Sequence, residues 1–252
     1  MIDVDTPIAV AGFELTVTES LDPDPVERAA IAETWRTARA ATPQLWNGSF
    51  FLFEAVGVVD GRLRATARPT DFATFLHWRA EAVPDPRFRH LFPVAALTSA
   101  DDRLLLGVMS GTTANPGLAY PPSGSFDAAD RVGDRLDPLA NTVRELTEEV
   151  GLDLAATVAD PGFLVIRSGP RRHALVQRRR STLSAAEIAE RAAAHVARDP
   201  HRELAAIRLV GYDEDLADLA TAPYVRPLLA RLAATRGDAE PFAPVPRSGA
   251  PS

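Results

Sequence analysis

The sequence predicts an α/β (α+β) protein: a mixed β-sheet sandwiched by helices, preceded by a smaller N-terminal α/β extension. Three observations carry this prediction. Strand-length apolar runs alternate with segments of helical period along most of the chain. Two pairs of strand runs are joined by turn residues, at Asp60-Gly61 and at Ala100-Asp101-Asp102. One amphipathic helix is marked at both ends, by Asp137-Pro138 at its start and Gly151 at its stop.

Taken in order, residues 8–19 alternate loosely as a strand, and 25–40 carry helical periodicity after the turn-rich Asp22-Pro23-Asp24. Residues 50–58 and 63–67 flank Asp60-Gly61 as a hairpin, and 71–79 read as a helix. Pro84-Asp85-Pro86 is a break, which places a boundary near residue 88. The second part opens with strands over 92–98 and 103–109, and residues 118–120 lead into Gly124. After the marked helix come strands over 162–167 and 173–179, and then a helix over 185–197 capped by Ser184. A strand over 203–210 and a helix over 224–234 complete the fold. The expected organisation is 1–88, an extension; 89–236, the main domain; and 237–252, a disordered tail containing four prolines.

The chain has 252 residues, 46% of them hydrophobic, enough for a substantial core. No apolar run approaches the ~20 residues that span a bilayer, and the acidic opening Met1-Ile2-Asp3-Val4-Asp5 predicts no targeting signal. A cytoplasmic location is expected. A net charge of −7 disfavours non-specific nucleic-acid binding. The absence of cysteine excludes disulfides, thiolate zinc sites and a cysteine nucleophile. All 27 basic residues are arginine, which with the abundant alanine reads as genome composition rather than function.

The chemistry concentrates in Arg144-Glu145-Leu146-Thr147-Glu148-Glu149-Val150-Gly151-Leu152. On a helical wheel Leu139, Val143, Leu146 and Val150 form one stripe. Glu145, Glu148 and Glu149 fall within roughly 100° of one another on the far side. Like charges so spaced repel unless a cation neutralises them. An all-carboxylate donor set suits a hard divalent ion, Mg²⁺ or Mn²⁺. The metal ligands expected are therefore Glu145, Glu148 and Glu149.

This run resembles the second half of the Nudix box, the signature of hydrolases acting on nucleoside diphosphates linked to another group. The box opens with a glycine, then five residues, a glutamate, seven residues and the arginine. With Gly124 as the box glycine, an acid follows at the right distance, Asp130 in place of glutamate. Thirteen residues rather than seven then precede Arg144, an insertion of six that falls on residues 131–136. The resemblance implies a mixed-sheet fold over about 91–236 and hydrolysis of a diphosphate bond. It also implies catalytic roles for Glu145, Glu148, Glu149 and Arg144, the arginine holding a box glutamate. A second resemblance, to the UDP-glucose-hydrolysing Nudix branch, rests on short words. These are Leu45-Trp46-Asn47-Gly48-Ser49-Phe50-Phe51, Leu175-Val176 with Arg178, Leu183-Ser184-Ala185-Ala186-Glu187 and His201-Arg202-Glu203-Leu204. It makes a nucleotide sugar the leading substrate.

Gly124, Tyr120 and Arg178 are the substrate-binding candidates: a tight loop, a ring able to stack and a bidentate phosphate donor. Glu203 is a further ligand or base candidate on a late strand, though a surface acid is the plainer reading. Trp46, Phe50 and Phe51 are aromatic candidates for which core packing is the plainer role. Two other functions stay open. One is an inactive Nudix-like sensor that binds a nucleotide sugar or ADP-ribose; the other is a protein-interaction role for the N-terminal extension. The assembly is left open between monomer and homodimer.

Overall fold

A computed structural model describes residues 6–80, 85, 87–111, 113, 115–152, 157–199, 203–238 and 240–243. Strands β1 (Ile8–Val10) and β2 (Gly12–Val17) precede helix α1 (Pro25–Ala41). Strands β3 (Ser49–Val59) and β4 (Arg62–Asp71) form the expected hairpin, and α2 (Phe72–Ala80) follows. Asp60 and Gly61 both have positive φ, 51° and 70°, the mirror-image turn that matches strand twist. The main sheet then begins with β5 (His90–Thr98) and β6 (Arg103–Met109), with the short β7 (Ala119–Tyr120) beside β6. A 3₁₀ turn (Ala128–Asp130) leads to β8 (Arg131–Val132), β9 (Arg135–Leu136) and α3 (Pro138–Val150). The chain finishes with β10 (Thr157–Ala159), β11 (Phe163–Gly169), β12 (Arg172–Ser181), α4 (Ala185–Val196), β13 (Leu204–Gly211) and α5 (Val225–Ala234).

Two mixed sheets result. The larger runs β1-β11-β12-β5-β6-β13, with β10 on β12 and β7 on β6; β12 and β5 are its parallel pair. The smaller runs β3-β4-β2-β9-β8. Residues alternate across the larger sheet as the period of two requires. Phe163, Val165, Leu175 and Leu91 join the smaller sheet's Leu15, Phe51 and Phe53 in one core. Leu164, Ile166, Ala174 and Val176 belong to the other core, with Leu146 and Val150 of α3, Ile188 of α4 and Leu228 of α5. Helix α3 packs on β5 and α4, so its position is fixed by the middle of the sheet. Among the described residues no helix is long and apolar enough to cross a membrane.

Two expectations about organisation change. The division at residue 88 does not separate the sheets: β1 pairs with β11, while β8 and β9 join the smaller sheet through Thr16 opposite Arg135. These contacts are long-range, and local patterning carries no signal for them. Part of the tail expected over 237–252 is packed instead. Phe242 is fully buried in the main core, and the Arg231 guanidinium donates to the Pro241 carbonyl at 2.7 and 2.9 Å. One large apolar side chain is enough to anchor a proline-rich segment; residues 244–252 lie outside the described part.

Where the two layers meet, His90 lies in an aromatic cluster. Its ring centroid is 5.2 Å from that of Phe50, 4.7 Å from Phe75 and 5.1 Å from Phe92. Burial holds the His90 imidazole well below its ordinary pKa, helped by the nearby Arg172 and Arg79 charges. The folded state therefore favours neutral His90 while the unfolded chain protonates near pH 6.5. Its contribution is intact above that pH and is lost as the pH falls below it, by at most about 1.4 kcal/mol per unit. Urea midpoints at pH 7.0 and 5.0 should therefore fall further for the parent than for His90→Phe. Equal losses in the two proteins would show that His90 is not the group being titrated.

Candidate active site

Helix α3 is built as its ends predicted. The Asp137 carboxylate accepts from Leu139 N at 2.8 Å, Pro138 takes the first helical position, and Gly151 closes the helix at φ 64°. The apolar stripe is shorter than expected. Leu146 and Val150 are buried and Leu139 is exposed, whereas Asn141 and Thr142 are buried at the helix start. Asn141 is the functional-region residue the sequence did not reveal. Its side-chain amide donates to Asp130 at 2.8 Å and to the Ser125 carbonyl at 3.3 Å, tying the loop onto the helix. Nothing in a lone asparagine on a helix start marks it for that task.

The Gly124 assignment has a steric basis. A Cβ at this position would overlap the Glu145 carboxylate, so any other residue here would displace that carboxylate from where it stands. The neighbouring Ser123 N–H donates to Glu149. One loop therefore rests on two of the three glutamates. The insertion is equally clear: residues 131–136 form the β8–β9 hairpin, turned at Gly133 with φ 63° and docked on β2. Asp130 stands at the neck of that hairpin. Its buried carboxylate accepts from Asp127 N at 2.9 Å and from Asn141, and it pairs with Arg144 at 3.4 Å.

Arg144 is the electrostatic centre. Its guanidinium lies 2.8 Å from Glu145, 3.3 Å from Glu148, 3.4 Å from Asp130 and 3.7 Å from Asp127. Burial nevertheless pushes the Glu145 carboxyl up to about 7, opposed by Arg144 and reinforced by Glu148, Asp130 and Glu203. Burial also raises Glu149 well above the carboxylate range, with Glu145 and Glu203 adding to the shift. Glu203 thus belongs to the same acidic group. With Glu148, Glu149, His195, Arg198 and Asp199 it lines a pocket of about 530 Å³. The His195 ring meets the Glu148 carbonyl at 2.8 Å, linking α4 to the end of α3.

As the side chains stand, no three acids or histidines among the described residues surround a common point. Arg144 bridges Glu145 and Glu148 instead. The donor set still fits a hard cation in kind, since it consists of carboxylates that raise one another's affinity for protons. Glu148 is 60% exposed and free to turn away from Arg144.

A second pocket, of about 120 Å³, opens beside the Gly124 loop; Tyr120 and Tyr224 line it with Ser123, Gly124, Phe92 and Arg172. Gly124 and Tyr120 are therefore brought together as expected. Tyr120 is nearly buried, accepts from the Asn115 amide at 3.4 Å and has its phenol pushed up to about 12 by burial. Arg178 is placed elsewhere. It is buried, 3.5 Å from Asp160 and 3.3 Å from the Thr98 hydroxyl, and takes no part in this pocket. The strand explains why: Arg172 and Arg178 share a face of β12 but stand six residues apart, about 20 Å. Of the aromatic candidates, Phe50 and Phe51 are core residues and Trp46 is exposed. Asn47 and Gly48 serve α2, the Asn47 side chain accepting from Ala73 N at 2.7 Å. His201 lies outside the described residues.

No protein-family model and no curated protein matches the chain. Several solved structures are similar to it at low identity. A Nudix hydrolase from M. smegmatis, RenU, is 18% identical over 58% of this chain and 84% of its own, with a TM-score of 0.40. A mutT/nudix family protein from Listeria innocua is 21% identical over 57% of this chain and 92% of its own, with a TM-score of 0.41. An Ap4A hydrolase from C. elegans is 15% identical over 57% and 96% of the two chains, with a TM-score of 0.38. The reading of the site rests on this chain's own residues.

Gly124→Ala tests the cradle. Forcing a methyl group into the Glu145 carboxylate should weaken Mn²⁺ binding about tenfold or more, the range for disturbing a ligand's support. Far-ultraviolet dichroism should stay that of the parent. Unchanged Mn²⁺ affinity by calorimetry would remove Glu145 from the cation site.

Proposed function

We propose that this chain is a Nudix-type pyrophosphohydrolase, dependent on Mg²⁺ or Mn²⁺, that cleaves the diphosphate bond of a nucleoside diphosphate derivative. A nucleotide sugar is the leading substrate, a choice that rests on the short words shared with the UDP-glucose-hydrolysing branch. The observation that carries the reading is the packing of the Gly124 loop against Glu145 and Glu149. A glycine followed by a helix of acids is a common pattern; a glycine whose missing side chain makes room for one of those acids is far more specific.

In this reading Glu148 and Glu149 hold the cation with Glu145, and Glu203 stands close enough to assist. The bound cation would neutralise phosphate oxygens and acidify a water. Arg144 positions the helix acids rather than touching substrate, because its guanidinium is already shared among carboxylates. Asp130 takes the place of the box glutamate by holding Arg144 and Asn141. Glu145 and Glu149, with their raised proton affinity, hold protons in the absence of a cation and give them up when one binds. Tyr120 and Gly124 form a wall against which one end of the substrate lies.

The second reading, a binder that does not cleave, is favoured by the Arg144 bridge between Glu145 and Glu148 and by aspartate at position 130. A screen of nucleotide sugars, dinucleotides, coenzyme A and nucleoside triphosphates, with and without Mg²⁺, separates the two. Release of a phosphate-containing product requires hydrolysis; thermal stabilisation without product identifies a sensor. Glu149→Gln and Glu148→Gln should each cut turnover by about two orders of magnitude or more and leave the unfolding free energy from urea titration within about 1 kcal/mol of the parent. Parent-like hydrolysis in both variants would overturn the assignment.

A further inference from the structure

The small pocket beside Gly124 carries a charge that the acidic helix does not explain. Arg172 lies in its wall with Nε buried and without a hydrogen-bond partner among the described residues. Its guanidinium carbon sits 5.8 Å from the centroid of the Phe92 ring, and no carboxylate lines the pocket. A second arginine lies behind it. Arg79 of α2 stands over Phe75 at 5.5 Å, and Phe75, His90 and Phe92 stack in sequence with centroids 4.7 and 5.1 Å apart. Neither arginine forms an ion pair among the described residues. Burial lowers the proton affinity of both, the Arg79 charge lowers that of Arg172 further, and both charges lower that of the buried His90. Half-buried cations without partners destabilise a fold, so Arg172, beside open space and with the Arg79 charge near it, is poised for an anion.

The pocket, of about 120 Å³ and open to solvent on one side, admits a phosphate or carboxylate group beside Arg172. Serine hydroxyls at Ser123, Ser125 and Ser168 and the Asn115 amide supply neutral donors around it. Its wall at Gly124 is the loop that rests on Glu145, so a group held here belongs to a molecule that reaches the acidic helix.

We infer that Arg172, supported by Arg79, forms a receptor for an anionic group carried by the substrate in addition to its diphosphate. This deepens the proposed function and rests on it for the identity of the molecule, but not for the site itself. It also gives the N-terminal extension a part in recognition, through Arg79 on α2. The anion is a pendant phosphate or a carboxylate. Two matched pairs distinguish these sources: NADPH against NADH, and UDP-glucuronate against UDP-glucose.

The test uses the full chain without divalent cation, so no turnover is needed. Inorganic phosphate should raise the thermal midpoint of the parent, and the member of one pair that carries the additional anion, NADPH or UDP-glucuronate, should bind at least tenfold more tightly than its partner. Arg172→Met should abolish both effects without lowering the midpoint of the ligand-free protein, because no ion pair is broken. Arg172→Lys should keep part of the preference, and Arg79→Met should reduce it by a smaller factor. A phosphate shift retained in Arg172→Met, or equal affinity within both pairs, overturns the proposal. A parent that binds phosphate through Arg172 yet releases no product with Mg²⁺ would refute the hydrolase reading and leave the receptor standing.

Discussion

Four carboxylates, from Asp127, Asp130, Glu145 and Glu148, share the single guanidinium of Arg144. That imbalance is the constraint from which the rest of the site follows. Glu149 and Glu203 add to the negative charge, and burial of Glu149 removes the water that would screen it. Such an arrangement has two stable outcomes: the acids take up protons, or a multivalent cation joins them. The raised affinities of Glu145 and Glu149 for protons are the first outcome in the absence of metal. The second is the one a hydrolase uses.

The geometry that permits the crowding is non-local. Gly124 reaches Glu145 because Asn141 and Asp130 hold the preceding loop to the helix. Asp130 is in turn held by the 3₁₀ turn and by the β8–β9 hairpin that docks on β2. The β8–β9 hairpin over residues 131–136 returns the chain to where it left, so the Gly124 loop and α3 stay in contact. In this way the smaller sheet, although distant in sequence, buttresses the entrance to α3.

What was legible in the sequence was mostly local. Asp137-Pro138 and Gly151 bracket α3 because caps act within one turn. Asp60-Gly61 turns its hairpin because two positive φ values are needed side by side. Gly124 was chosen because an acid, Asp130, follows it after five residues; in the fold its loop lies against the Glu145 carboxylate. What was not legible depends on contacts far apart in the chain: the pairing of β1 with β11, the burial of Phe242, and Asn141 as a tether. The choice of Arg178 as a phosphate ligand shows the same limit. Period-two patterning puts Arg172 and Arg178 on one face but does not say which end of the strand meets the site.

The two arginines differ most in what they lack. Arg178 is buried and paired with Asp160, so its charge is used up within the fold. Arg172 is part-buried beside an aromatic ring, with an open pocket before it and no acid. An ordinary structural arginine acquires a carboxylate partner or moves to the surface, because either relieves the loss of hydration. A chain whose bases are all arginine has many solvated ones, so arginine content alone carries no meaning here. Position does. The Gly124 loop touches the Glu145 carboxylate and also lines the pocket that holds Arg172, so the acids and this guanidinium stand near one another. A molecule with a diphosphate and a further anion would meet two cations, one recruited by the glutamates and one built into β12.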